Sequence, residues 1–157
     1  MINLTNNEMK KLSILLITAI LSVGNLYSQS KTIKGRVILE DFRTMPEVLL
    51  MINDTVEVGK TDFDGFFQLD IPISIKEVVF YFIGVESATI YLEDNCGNIE
   101  VIMMPSYSYD FISLKQAEKN RKKRYKKLDK LHKLAFEKGL FETVCPCYRR
   151  EFESLYL

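Results

Sequence analysis

Four residues of this chain have the chemistry to bind a soft metal or to exchange electrons: Cys96, Cys145, Cys147 and the single histidine, His132. Cys145 and Cys147 flank Pro146 in a C-x-C arrangement. Thiolate and imidazole together suit zinc or cuprous ion, yet this spacing follows no standard zinc pattern. It is also not the C-x-x-C of a thioredoxin-like redox pair, and no strand–helix–strand unit precedes it. In an exported chain, three thiols imply one disulfide with one thiol left over, or a bond to another molecule. A bridge from Cys96 to Cys145 or to Cys147 would pin the C-terminal segment to the turn at 94–98. A metal-handling or redox protein built on Cys96, His132, Cys145 and Cys147 is the alternative reading.

A second candidate is the acidic stretch GKTDFDGFFQLDI, residues 59–71, with Asp62 and Asp64 just ahead of Gly65. A calcium loop needs six to eight oxygen ligands, and Phe66, Phe67 and Gln68 follow where more carboxylates would be required. A turn explains more of these residues. Aspartate bonds the backbone two residues on, and glycine accepts a positive φ. The stretch therefore reads as a hairpin turn that sends Phe67, Leu69 and Ile71 into a core. No metal and no cofactor is expected.

A third candidate is the run Lys119-Asn120-Arg121-Lys122-Lys123-Arg124-Tyr125-Lys126-Lys127. Clustered cations of this density can track phosphates through counterion release. Residues 31–110 hold six Lys/Arg against fourteen Asp/Glu, a net of −8, and residues 111–157 hold thirteen against six, a net of +7. The basic run either docks on its own acidic half or meets an external anionic partner. Catalysis has no comparable support. His132 sits among Leu131, Lys133 and Leu134 inside the basic segment, and no nucleophile–base pair or glycine-rich phosphate loop is legible.

The elements that would position these groups fall into two parts. The chain of 157 residues is 47% hydrophobic and 27% charged, an ordinary globular balance. Its start, Met9-Lys10-Lys11 followed by LSILLITAILSVG and NLYSQS, has the basic, apolar and small-residue order of a signal peptide over 1–28. No cysteine near its end suggests a lipid anchor. From 32 to 104, short alternating runs separated by turn residues predict seven strands: TIKGRVILE, EVLLMIND, VEVGK, FFQLDI, EVVFYFIG, SATIYLED and NIEVIMM. Gly35 reads as a bulge, and EVLLMIND as a strand buried on both faces. The spacing predicts a seven-stranded antiparallel β-sandwich. A linker follows at 105–113. A long basic helix is then expected from Leu114 to a stop at Gly139, with Ala117, Leu128, Leu131 and Ala135 on its apolar side. Tyr148, Phe152, Leu155 and Tyr156 predict a short amphipathic helix from Pro146 to the end.

Several residues of the β half also carry a family resemblance. They are Lys34-Gly35-Arg36-Val37, Pro46-Glu47-Val48, Thr61-Asp62-Phe63-Asp64-Gly65-Phe66-Phe67, Phe82-Ile83-Gly84 and Asn98-Ile99-Glu100-Val101. In this order they resemble the carboxypeptidase-regulatory-like, or transthyretin-like, β-sandwich domains of secreted and outer-membrane proteins of Bacteroidetes. The match covers residues 31–104. Met45-Pro46-Glu47 departs from it, because that family usually shows Leu-Pro-Gly there. The resemblance implies a transthyretin/Ig-like accessory fold without catalysis of its own. It implies nothing for the basic segment.

Together these readings predict an exported, periplasmic or secreted protein, with outer-membrane association within that range. Its function would be that of a non-enzymatic binding or scaffolding module of the cell envelope. The sandwich would be the platform, and Lys119, Arg121, Lys122, Lys123, Arg124, Lys126 and Lys127 would contact an anionic envelope component or an envelope protein. Export argues against a nucleic-acid partner, and the signal segment is the only expected membrane contact.

Overall fold

The structure is a computed structural model that describes residues 8–11, 15, 30–53, 55–94, 96–107 and 112–154. The chain divides into two units, residues 1–30 and 31–157. In the first, residues 8–11 and Leu15 are helical, and exposed Lys11 and Glu8 pair at 3.1 Å. The rest of the expected signal segment, and the proposed cleavage region with it, lies outside the described residues. Among the described residues no helix is long and apolar enough to cross a membrane.

In the second unit the seven expected strands all form: β1 (Ser30–Leu39), β2 (Leu49–Ile52), β3 (Val56–Lys60), β4 (Phe66–Pro72), β5 (Glu77–Tyr81), β6 (Ala88–Tyr91) and β7 (Asn98–Met103). An eighth, β8 (Arg149–Arg150), was not expected. They build two sheets, ordered β4-β1-β7 and β3-β2-β5-β6-β8. The arrangement is not wholly antiparallel. β1 and β7 run parallel, from Lys34 beside Asn98 to Leu39 beside Met103. The chain between them builds most of the other sheet and so supplies the long crossover that a parallel pair needs.

Gly35 is not a bulge. It stays in register opposite Ile99, and a Cβ on it would lie 1.8 Å from the Ile99 carbonyl oxygen. Close approach of two backbones is what requires glycine there. The irregularity falls instead between Leu50 and Met51 of β2.

One core draws on both sheets, with Val37, Phe67, Ile99 and Val101 from the first and Leu50, Val78, Phe80 and Ile90 from the second. Phe67 and Phe80 meet edge to face across it, ring centres 5.5 Å apart. Burial on both faces belongs to β7 rather than β2. Every β7 residue after Asn98 is buried, whereas β2 alternates between buried and half-buried. The cause is a second layer. Ile102 of β7 and Ile38 of β1 pack with Ala135 and Phe141 on the far side of the three-stranded sheet.

That layer comes from the basic segment, which forms two helices and not one. α1 (Leu114–Tyr125) and α2 (Leu128–Glu137) are separated by a turn at Lys126-Lys127. The Ser113 hydroxyl caps α1 by accepting from the Gln116 N–H at 3.3 Å. At the break the Lys127 N–H donates to Arg124 O, three residues back. Neither glycine nor proline marks the place. The two halves bury different groups, Ala117 and Arg121 in α1, His132 and Ala135 in α2. Gly139 ends the segment at φ +69°, as its position predicts.

The expected C-terminal helix is a correction too. Residues 151–154 have no regular structure, and Arg149 and Arg150 pair as β8 with Tyr91 and Ile90 of β6. A helix of about ten residues is marginal alone in water, and an open sheet edge offers backbone partners directly. Leu155 and Tyr156 lie outside the described residues. Of the expected linker, the start is docked: Pro105 bridges Val85, and the Ser106 N–H donates to Gly84 O at 3.0 Å. Residues 108–111 lie outside the described residues.

Two backbone positions yield opposite expectations. Gly35→Ala should destabilise the fold by at least about 3 kcal/mol, because backbone cannot yield as a side chain would. Glu47 holds a left-handed φ of +57°, which costs a non-glycine residue about 1 kcal/mol or more. Glu47→Gly should therefore be neutral or up to about 1 kcal/mol stabilising. Denaturant unfolding of the two variants measures both. A marked loss in Glu47→Gly would contradict the conformation described.

Candidate functional site

The basic run resolves into two populations. Arg121 and Arg124 lie on the inner face of α1 and close an ion cluster with the acidic β half. Arg121 Nη2 donates to Glu86 at 3.0 Å and Nη1 to Glu118 at 2.8 Å, and both side-chain nitrogens reach Glu153 O. Arg124 grips Glu40 with Nη2 at 2.9 Å and Nε at 3.3 Å, and donates to Pro105 O at 3.1 Å. Its Nη1 lies 3.6 Å from Glu86. Arg121 stacks on Phe152 and Arg124 on Tyr107, at 5.1 and 4.4 Å from the ring centres. Burial works against the charge of Arg121, but Glu86 and Glu118 outweigh it and hold its pKa above the ordinary arginine value. These two arginines were expected to meet a partner. They are corrected to internal anchors, because only the guanidinium fork satisfies several buried acceptors at once.

The five lysines of the run, Lys119, Lys122, Lys123, Lys126 and Lys127, are exposed. Lys115, Lys130, Lys133 and Lys138 extend the same exposed population along α1 and α2. Asp129 and Glu137 are the exposed acids among the residues of these two helices.

A buried polar cluster lies under α2, and its centre was missed by sequence reasoning. Glu100 is 3% exposed. Its carboxylate accepts from the Glu142 N–H, from the Thr143 N–H at 3.0 Å and from the Thr143 hydroxyl. His132 Nε2 lies 3.3 Å from Thr143 Oγ1 and 3.8 Å from Glu100. The available signal was a lone glutamate in the apolar run NIEVIMM.

Threonine, histidine and glutamate together invite comparison with a hydrolytic triad, but the roles do not follow. The Thr143 hydroxyl gives its proton to Glu100, so it can only accept from the imidazole. The imidazole thus lacks the free lone pair towards the hydroxyl that a general base needs. Burial lowers the His132 pKa more than Glu100 and Thr143 raise it, so the ring is neutral at pH 7. The cluster fixes residues 142–143 against β7.

The cysteines pair as Cys96–Cys147, and Cys145 is a free, exposed thiol. Two members of the four-residue metal set are thus bonded to each other, while His132 is engaged by Thr143. No cluster able to hold a metal ion occurs among the described residues. A disulfide of this kind belongs to an oxidising, extracytoplasmic compartment.

Asp62 and Asp64 form a turn. The Asp62 carboxylate accepts from the Asp64 N–H at 3.0 Å and the Phe66 N–H at 2.8 Å, and Gly65 takes φ +80°. Arg36 ties this turn to the residues after α2, through Asp64 O at 3.0 Å and Leu140 O at 3.2 Å. Beside it a cleft of about 590 Å³ is lined by Lys34, Lys60, Phe66 and Gln68. A second, of about 430 Å³, lies between the α1–α2 break and the C-terminal segment, lined by Tyr125, His132, Tyr148 and Arg150. Its polar tips are already committed. Tyr125 Oη donates to Arg150 O, Tyr148 Oη to Glu100 O at 2.9 Å, and Arg150 Nη1 to Ile102 O at 2.8 Å.

The buried neutral histidine has a consequence for stability. Its folded pKa lies below the unfolded value of 6.5, so the unfolded chain binds the proton first as pH falls. Stability from this group is complete above pH 6.5 and is lost progressively below it, by at most about 1.4 kcal/mol per pH unit. His132→Gln should flatten the decline in stability just below pH 6.5, measured by denaturant midpoints across that range. An unchanged profile would show that the ring takes up its proton in the fold just as it does in the unfolded chain, and that burial does not hold it neutral.

No protein-family model matches the chain, and none of the curated proteins does. Among solved structures, the C-terminal domain of the PapC usher aligns at 12% identity and a TM-score of 0.34, over 48% of this chain and 100% of that domain. A likeness of that size says nothing of what this chain does.

Proposed function

We propose that this chain is a non-enzymatic binding or scaffolding module of the cell envelope, periplasmic or secreted. In this reading its two sheets are a β-sandwich of the transthyretin/Ig-like kind that serves as the platform. The row of exposed lysines on α1 and α2 contacts an anionic envelope component or an acidic face of an envelope protein. One observation carries the reading: Arg121 and Arg124 are drawn inward by Glu86 and Glu40, while Lys119, Lys122, Lys123, Lys126 and Lys127 remain exposed. The disulfide supports the compartment, and the order of residues between 31 and 104 supports the sandwich type.

Anionic and zwitterionic phospholipid vesicles, together with a soluble polyanion, test it. The protein should bind the anionic probes and not the zwitterionic one, with an affinity that falls between low and physiological ionic strength. Near an anionic surface each lysine contributes about 1 kcal/mol, so replacing Lys119, Lys123, Lys126 and Lys127 by Gln should weaken binding roughly 100-fold or more. Salt-indifferent binding, or full binding by the four-residue variant, would remove the lysine row from the contact.

A further inference from the structure

The C-terminal segment, residues 145–154, lies across two sheet edges and is fixed at one covalent point. Its backbone adds β8 to β6, with Arg150 opposite Ile90 and Arg149 opposite Tyr91. Its side chains reach the free edge of β7, Tyr148 at Glu100 O and Arg150 at Ile102 O. A two-residue ladder is far below the usual strand length. Tyr125 at Arg150 O and Arg121 at Glu153 O add hydrogen bonds from α1, and the Cys96–Cys147 bridge is the segment's one covalent hold. That bridge is sheltered. Cys96 is 6% exposed and belongs to the core, with Cys147 packed against it. Cys145, one proline away from Cys147, is exposed and unbridged.

We propose that Cys145 is the entry point of a redox latch, through which an external dithiol opens the Cys96–Cys147 bridge and frees residues 145–154 from β6 and β7. In the first step the Cys145 thiolate attacks Cys147 Sγ. A Cys145–Cys147 bond forms, the Cys96–Cys147 bond breaks, and Cys96 leaves as a thiolate that takes up a proton. This exchange moves no electrons in or out. In the second step the dithiol attacks the exposed Cys145–Cys147 bond and forms a mixed disulfide. Its second thiol then resolves it, leaving two cysteine thiols and the cyclic oxidised dithiol, which has given up two electrons. Without the bridge the segment keeps only its hydrogen bonds and ring contacts, and the edge of β6 opens.

Oxidised full-length protein treated with dithiothreitol, quenched with acid and alkylated is the direct test. Mass spectrometry follows each thiol, and hydrogen exchange follows residues 88–91. Wild type should pass through a species with Cys96 alkylated and Cys145 bonded to Cys147. Protection at 88–91 should then fall while β2 and β5 stay protected. Cys145→Ser, a change at an exposed position, should open at least tenfold more slowly and reach the same end point. Opening of Cys145→Ser at the wild-type rate would overturn the entry role. Unchanged protection at 88–91 after the bridge has opened would overturn the latch.

Discussion

A parallel pair at the edge of a sheet leaves a row of carbonyls with no neighbouring strand, and much of this molecule is arranged around that row. β1 takes one set of β7 acceptors: Lys34 N–H donates to Gly97 O, and Glu40 N–H to Met103 O. The alternate set, Asn98, Glu100 and Ile102, points the other way. Because β7 is buried, an unpaired row there would carry a heavy desolvation cost. Among the described residues no strand covers it. The Tyr148 hydroxyl and the Arg150 guanidinium reach in from the C-terminal segment, and the Cys147 sulfur lies 3.0 Å from Asn98 O. The same segment continues the other sheet through its backbone. One short stretch thus covers the β7 edge of the first sheet and the β6 edge of the second, and the disulfide to the β6–β7 turn holds it at the point where the two edges meet.

The helical layer is held by two different forces, and the break between α1 and α2 separates them. α2 carries Leu131 and Ala135 against Ile38 and Ile102, an apolar contact with little directional demand. α1 has no apolar stripe, and among its residues only Ala117 and Arg121 are buried. Its attachment is ionic, and buried ion pairs return little net stability once desolvation is counted. They do fix rotation and register, since Arg124 must meet Glu40 while Arg121 meets Glu86. The turn at Lys126-Lys127 lets each helix satisfy its own surface. Tyr125, at the end of α1, donates to Arg150 O and meets Phe152 edge to face, which joins the helical layer to the C-terminal segment.

The sequence made the strands legible because burial on one face imposes a period of two, and β4, β5 and β6 follow it residue by residue. The Asp62–Gly65 turn was legible for a similar reason, since its chemistry is local. What could not be seen were outcomes decided by distant partners. The helix break has no glycine or proline, because its cause is the placement of Glu40 and Glu86 in the β half. Tyr148 and Phe152 have a helical spacing, yet the open edge of β6 and the carbonyls of β7 compete for that segment and win. Glu100 looked like one polar residue in a strand. Its role depends on amides at 142 and 143, more than forty positions away. Two of the seven candidate contact residues turned inward, and composition alone cannot separate an arginine that anchors from a lysine that stays in water.

That separation bears on how the proposed surface would work. At about 100° per residue, fixing Arg121 and Arg124 inward places Lys119, Lys122, Lys123 and Lys126 on the opposite side of α1. The helix cannot roll to bury them without breaking the pairs with Glu86 and Glu40. The backbone that presents the lysines is therefore fixed before any partner arrives, and binding need not order it. Lys122 lies 6.0 Å from the Phe152 ring centre, and each of the others is an exposed, hydrated point charge on a flexible stem. A rigid helix with mobile cations makes few demands on the exact spacing of opposing charges. Under the proposed function, that favours an extended anionic partner of variable structure over one of a single fixed shape.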